Sequence, residues 1–237
     1  MNATPAQRIE ELSRRLPGGV TLVAVSKFHP VEAILSAYSA GQRVFGESRA
    51  QELAAKAPAL PPDIQWHFIG HLQTNKVKTV VPIAHTIQSI DSLRLLRAVD
   101  AEAARTARTV NVLLQVHVAA EETKFGFTPD ELLQYFSERR FERLQATHIC
   151  GLMAMATNTD DPARISADFR RVAELKARIL AAAPDLREFD ILSMGMSDDY
   201  PAAIAAGSTH VRIGTAIFGE RDYDAKPSEN PTTHTPI

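Results

Sequence analysis

Eight short apolar runs rich in valine and isoleucine, separated by stretches of helical period, predict a single (β/α)8 TIM barrel of the α/β class for this chain. The runs have little polar alternation, as expected of parallel strands covered on both faces. The length, 237 residues, suits one barrel domain, which commonly runs to about 250 residues. An open doubly wound sheet is the alternative, and it would leave two edge strands to be covered.

Taken in order, residues 4–16 come first, with Ile9, Leu12 and Leu16 on one stripe, and predict an extra helix ahead of the first strand. The strands follow as VTLVAVS (20–26), QRVFG (42–46), IQWHFIG (64–70), HTIQSI (85–90), VNVLLQVHV (110–118), LQATHICGLM (144–153), FDILSMG (189–195) and STHVRIG (208–214). Pro30 suits the first position of a helix, where its missing N–H is no loss. Residues 101–107, 130–139 and 162–183 supply later helices. In the last of these, Phe169, Val172, Leu175 and Ile179 recur at helical spacing, and Asp160-Asp161 suit the dipole at its start. Residues 1–220 are therefore expected to form the one domain. Residues 221–237, with three prolines and almost no apolar side chain, read as a disordered tail.

Composition narrows the function. Lys plus Arg number 26 against 28 Asp plus Glu, a formal net charge of -2, so no basic excess points to nucleic acid. The single cysteine, Cys150, cannot form an internal disulfide and fits a reducing compartment, which makes a cytoplasmic location the expectation. The charged N-terminus does not read as a signal peptide, and no apolar run approaches the ~18 residues that would cross a bilayer.

In a barrel the chemistry gathers at the C-terminal ends of the strands. Lys27 ends the first run. Among apolar neighbours its charged form would be disfavoured, and the neutral amine could attack a carbonyl to form a Schiff base; the plainer alternative is a lysine reaching out to solvent. Ser193-Met194-Gly195-Met196-Ser197 follows the seventh run, and Gly214-Thr215 follows the eighth. Loops after strands seven and eight form the usual phosphate cradle of this fold. Glycine lets backbone N–H groups approach there, and the Ser193 and Thr215 hydroxyls can donate. The alternative is that the glycines only turn the chain and Ser197 only caps a helix from Asp198. Arg212, within the last run, needs an acceptor, either a ligand or a carboxylate such as Glu47. His67 and His71 lack a completing Cys or Glu, so no metal is expected. Cys150 reads as an inert buried thiol.

The segments AVSKFHP (24–30), FGESRAQE (45–52), WHFIGHLQTNK (66–76), SIDSL (89–93), KFGF (124–127), GLMAMA (151–156), LSMGMSDDY (192–200) and GSTHVRIGTAIFGER (207–221) resemble the pyridoxal phosphate homeostasis proteins. The match covers residues 20–221 with the motifs in the same order. The resemblance implies the barrel of the alanine racemase N-terminal domain without that enzyme's second, β-rich domain. It implies pyridoxal 5′-phosphate (PLP) as cofactor, with Lys27 holding the aldehyde as a Schiff base, Ser193, Gly214 and Thr215 on the phosphate, and Arg212 facing the pyridine nitrogen. Lys124 matches a second lysine of the family. Two positions depart from the pattern: Ser48 stands where an asparagine is common, and His29 where many members carry a lysine.

Three functions compete on this reading. The favoured one is a non-catalytic PLP carrier in vitamin B6 homeostasis, with PLP-dependent enzymes as recipients and a monomeric state. The second is a PLP-dependent amino-acid racemase, and the third a Schiff-base sugar-phosphate aldolase. A racemase needs a second acid/base on the opposite face of its substrate. Of the four tyrosines, Tyr38 and Tyr135 fall in helix patterns, Tyr200 follows the seventh-strand loop and Tyr223 lies in the tail. None is an evident opposite-face base, so no catalytic residue is expected.

Overall fold

The apolar runs close on themselves. In the computed structural model, which describes residues 3–120 and 125–220, eight parallel strands form a barrel in sequence order. They are β1 (Thr21–Val25), β2 (Val44–Glu47), β3 (Gln65–Phe68), β4 (Thr86–Ile90), β5 (Val110–Val116), β6 (Thr147–Ala154), β7 (Ile191–Ser193) and β8 (His210–Ile213). Closure is made by β1 against β8, from Thr21 opposite His210 to Ala24 opposite Ile213. That pairing removes the edges which an open sheet would have left. The expected tail at 221–237 and Lys124 lie outside the described residues.

Helix α1 (Pro5–Arg15) is the predicted extra helix, and Thr4 caps it in a reciprocal box with Gln7. Its Ile9 and Leu12 are buried, and Arg8 donates to the Ile217 carbonyl, which ties the chain's start to its last described helix. The others are α2 (Val31–Ser39), α3 (Ala50–Lys56), α4 (Val77–Val80), α5 (Leu93–Arg105), α6 (Pro129–Ser137), α7 (Pro162–Ala182), α8 (Tyr200–Ala205) and α9 (Thr215–Phe218). Pro30 stands at the N-cap of α2, one residue ahead of the position expected for it. Helix α5 starts well before residue 101, because the Ser92 hydroxyl accepts from the Leu95 N–H and opens it there. Ser197 caps nothing: Asp199 precedes α8 and accepts from the Met196 N–H.

The barrel has two buried compartments. Leu22, Ala24, Phe45, Phe68 and Ile87 join helix residues such as Ile34, Leu53 and Val99 in one shell between sheet and helices. The lumen holds a small apolar group of Leu113, Cys150 and Met153. Burial pushes the Cys150 thiol up to about 11, so it stays protonated and inert. Polar side chains also meet inside the barrel. Ser193 on β7 donates to Gln88 on β4, and the His67 ring on β3 stacks 6.2 Å from His210 on β8. None of these strands are neighbours, so both contacts cross the interior.

Burial, with His210 and His85 nearby, holds His67 down to about 3; burial and the Arg212 charge hold His210 down to about 4. Both values lie below the ordinary 6.5, so the unfolded chain binds more protons than the native one as pH falls through that window. Stability present above pH 6.5 is lost toward pH 4, at about 1.4 kcal/mol per pH unit for each fully shifted imidazole. Urea midpoints measured between pH 7.5 and pH 5 should therefore fall with acidity, and His67→Gln should remove roughly one proton from that slope. A flat profile would mean that both rings accept protons in the native state.

Candidate functional site

The C-terminal ends of the strands meet at one mouth, and Lys27 enters it from β1. Strand alternation orders the residues ahead of it. Val23 and Val25 lie beside Gly46 and Ile69, while the intervening Leu22 and Ala24 join the outer shell. Ser26 points outward and its hydroxyl donates to Glu47 Oε1 at 2.7 Å. Lys27, half-buried, follows two residues beyond the C-terminal end of β1.

The chain then turns sharply. Phe28 has φ 67, the left-handed region that a bulky residue adopts only when its surroundings impose it. Three charged side chains impose it here. The Phe28 N–H donates to Glu52 Oε2 at 2.8 Å. Lys56, one helical turn further along α3, donates to Glu52 Oε2, to Glu47 Oε1 and to the Ser26 carbonyl, at 2.9, 2.8 and 2.9 Å. The Arg49 guanidinium covers the Phe28 ring from 4.4 Å. The backbone on both sides of Lys27 is thus pinned to one ammonium group. Burial raises the Glu47 carboxyl although Lys56 opposes it. Burial works the same way on Glu52, but the Phe28 N–H and Lys56 outweigh it and leave that carboxyl below its usual range.

On the other side of the mouth β8 ends in Gly214 and Thr215. A Cβ at Gly214 would stand 3.1 Å from the Val25 carbonyl oxygen, so glycine lets the start of α9 approach β1 closely. Thr215 and Ala216 are exposed, and their N–H groups belong to a first helical turn, which has no internal acceptors. The neighbouring β7 runs into Met194–Asp199. There Gly195 has φ 90 and a Cβ would collide with Ala203 and the Tyr200 backbone, while its carbonyl accepts from the Arg212 N–H.

Arg212 is buried among acceptors. Nη1 donates to the Ser193 carbonyl at 2.7 Å and to its hydroxyl at 2.8 Å, and Nη2 donates to the Ala154 carbonyl at 3.0 Å. Burial lowers its pKa to about 10, which leaves it protonated near neutrality. The ion pair with Glu47 weighed from sequence does not form: Glu47 lies on the outer side of the sheet with Ser26 and Lys56, while Arg212 bonds Ser193 and Ala154.

Ser193 is the last residue of β7 and lies beneath the loop that follows it. Its hydroxyl is fully buried, and its one proton goes to Gln88 Oε1 at 2.7 Å. It underlies Arg212 instead of standing in the loop with a proton for a phosphate. The half-buried Ser197 is the hydroxyl that the loop presents. His29 is buried and stacks on Phe218 at 5.1 Å, so the ring at this departure is part of the packing under α9. His71 lies against Asp91 at 3.1 Å and stacks on Phe125, and among the described residues no metal-binding cluster occurs. Sequence reasoning missed Gln88, Lys56 and Glu52. The signals were a glutamine inside the apolar run HTIQSI and an i, i+4 carboxylate–lysine pair on α3.

Lys56→Met should cost about 3 kcal/mol at pH 7.5, read from urea unfolding, because it strands the buried Glu47 carboxylate without its cation. The loss should shrink toward pH 5 as Glu47 takes up a proton. A cost within the scatter of surface substitutions, about 0.5 kcal/mol, would show that the cluster does not hold the turn.

The family model for the alanine racemase N-terminal domain matches residues 4–222. The chain is 40% identical over 215 residues to the pyridoxal phosphate homeostasis protein of Haemophilus influenzae, covering 89% of each. PipY of Synechococcus elongatus, solved without PLP, superposes with a TM-score of 0.87 at 39% identity, over 91% of this chain and all of that one. The PipY structure with PLP bound gives a TM-score of 0.83 at 38% identity, over 91% of this chain and 100% of that one. The chain belongs to the alanine racemase N-terminal domain family and, within it, to the pyridoxal phosphate homeostasis proteins.

Proposed function

We propose that this protein binds PLP covalently through Lys27 and holds it in reserve as a carrier in cofactor homeostasis, without turning over amino acids. One observation carries the reading: a pinned lysine, a buried arginine that can only donate, and a glycine-threonine corner share one mouth, in a chain 38% identical to PipY, which was solved with PLP bound. The donor set fits the group.

PLP brings an aldehyde for capture by an amine, a ring nitrogen that accepts a hydrogen bond, and a phosphate. Lys27 presents the amine from a turn that leaves its backbone little freedom. The phosphate falls to Thr215, to the N–H groups that Gly214 lets come close, and to Ser197 on the adjoining loop; this transfers the serine role from Ser193. Arg212 faces the ring nitrogen. A guanidinium cannot accept a proton, so it favours an unprotonated nitrogen and weakens the electron sink that carbanion chemistry on this cofactor requires. Tyr38 bonds to Asp63 and Tyr135 packs against Phe127, so neither offers the opposite-face base of a racemase. Recipient PLP enzymes and a monomeric state belong to the same proposal. No helix among the described residues is long and apolar enough to cross a membrane.

Borohydride reduction after incubation with PLP should place a pyridoxyl group on the peptide containing Lys27, and Lys27→Ala should abolish both that label and the violet absorbance. Pyridoxal, which lacks the phosphate, should label the same lysine far less at equal concentration. Label on another lysine at full yield would refute the assignment.

The carrier reading also fixes a negative outcome. In heavy water, the holo-protein should not exchange the α-hydrogen of L-alanine faster than free PLP does. Exchange well above that background, lost in Lys27→Ala, would make the protein an enzyme.

A further inference from the structure

Hydrogen-bond polarity inside the barrel assigns a role to a residue outside the mouth. Arginine has five N–H donors and no acceptor. At Arg212 both Nη1 hydrogens go to Ser193 and one Nη2 hydrogen to Ala154, which leaves the Nε hydrogen and one Nη2 hydrogen for a ligand. The Ser193 hydroxyl must accept from Nη1, so its own proton goes onward to Gln88 Oε1. Gln88 therefore presents its oxygen to Ser193 and its amide N–H to His67 Nδ1, at 2.7 Å. That donor requires Nδ1 to be unprotonated, and His67, fully enclosed between the His85 and His210 rings at 6.0 and 6.2 Å, is held neutral by burial. Each member admits one orientation because its neighbour admits one. His67, Gln88, Ser193 and Arg212 all lie in the buried interior.

We propose that Gln88 is a positioning residue for the ring-nitrogen end of the cofactor site, holding the Arg212 guanidinium in one plane through Ser193. The inference rests on the PLP reading above and adds a determinant of specificity: the protein should recognise a pyridine and not merely an aromatic aldehyde phosphate. It also gives a physical role to Ser193, whose hydroxyl accepts from Arg212 and donates to Gln88. The alternative is that Gln88 only fills space in the lumen.

Affinities for PLP and for its 1-deaza analogue, with CH in place of the ring nitrogen, separate the two. Wild type should prefer PLP about tenfold, the worth of one well-aligned hydrogen bond. Gln88→Met keeps the volume but neither bond, and should bring that preference to about twofold or less while leaving the preference for PLP over pyridoxal intact. Ser193→Ala should do the same, and the double variant should lose no more than either single one, since both cut one chain. If Gln88→Met does not fold, Gln88→Asn, whose shorter stem draws the amide back from Ser193, takes its place with the same expected and overturning results. A space-filling role would weaken both analogues by the same factor, and that result, or an unchanged preference, overturns the inference. A wild type that binds PLP on Lys27 yet does not distinguish the deaza analogue sinks this inference alone. A wild type that captures no PLP sinks the carrier reading and this one with it.

Discussion

A guanidinium taken out of water must find acceptors, and it cannot escape the demand by giving up its proton at neutral pH. Arg212 is 5% exposed inside the barrel, and much of the polar lumen is arranged around it. The carbonyls of Ser193 and Ala154 at the ends of β7 and β6 turn toward it, and the Ser193 hydroxyl is oriented by it. Gln88 and His67 follow in fixed orientation. A lumen filled only with branched apolar side chains would pack as well, but it would leave no fixed donor pointing at the mouth.

A second buried cation does for Lys27 what these acceptors do for Arg212. Lys56 binds Glu47, Glu52 and the Ser26 carbonyl at once, and Glu52 in turn holds the Phe28 N–H in a backbone conformation that phenylalanine avoids when free. The strain sits next to Lys27, where surroundings that over-determine the backbone limit the paths the side chain can take. Lys27 and Arg212 thus each depend on buried polar groups set behind them. The corner at Gly214 is built differently: the decisive feature there is a missing side chain, which lets β8 and β1 approach.

Much of this was legible in one sequence. The apolar runs marked all eight strands, and the strand ends contained the residues on which the functional proposal rests, Lys27, Arg212, Gly214 and Thr215 among them. The two serines near the end of β7 show where the reading stops. Ser193 and Ser197 fall in one short stretch of sequence, and their surroundings differ because Ser193 is the last residue of the strand while Ser197 lies in the loop beyond it. That boundary depends on where the β7 ladder ends, and only pairing with β6 and β8 decides it. Gln88 was concealed because a glutamine inside an apolar run looks the same whether it faces lumen or helix.

The sequence by itself determined the element order, the parallel closed sheet and the mouth at which its chemistry gathers, because these follow from periodicity and from the rule that parallel strands need covering helices. Tertiary structure decided which polar groups meet across the lumen. Gln88 and Ser193 are 105 residues apart, on strands that do not pair, and their bond exists because barrel closure brings β4 and β7 to face each other. Directionality was decided there too. Arginine cannot accept, so the orientation of every hydroxyl, amide and imidazole behind it is settled by its place in the interior, a property of the assembled barrel that no single strand contains.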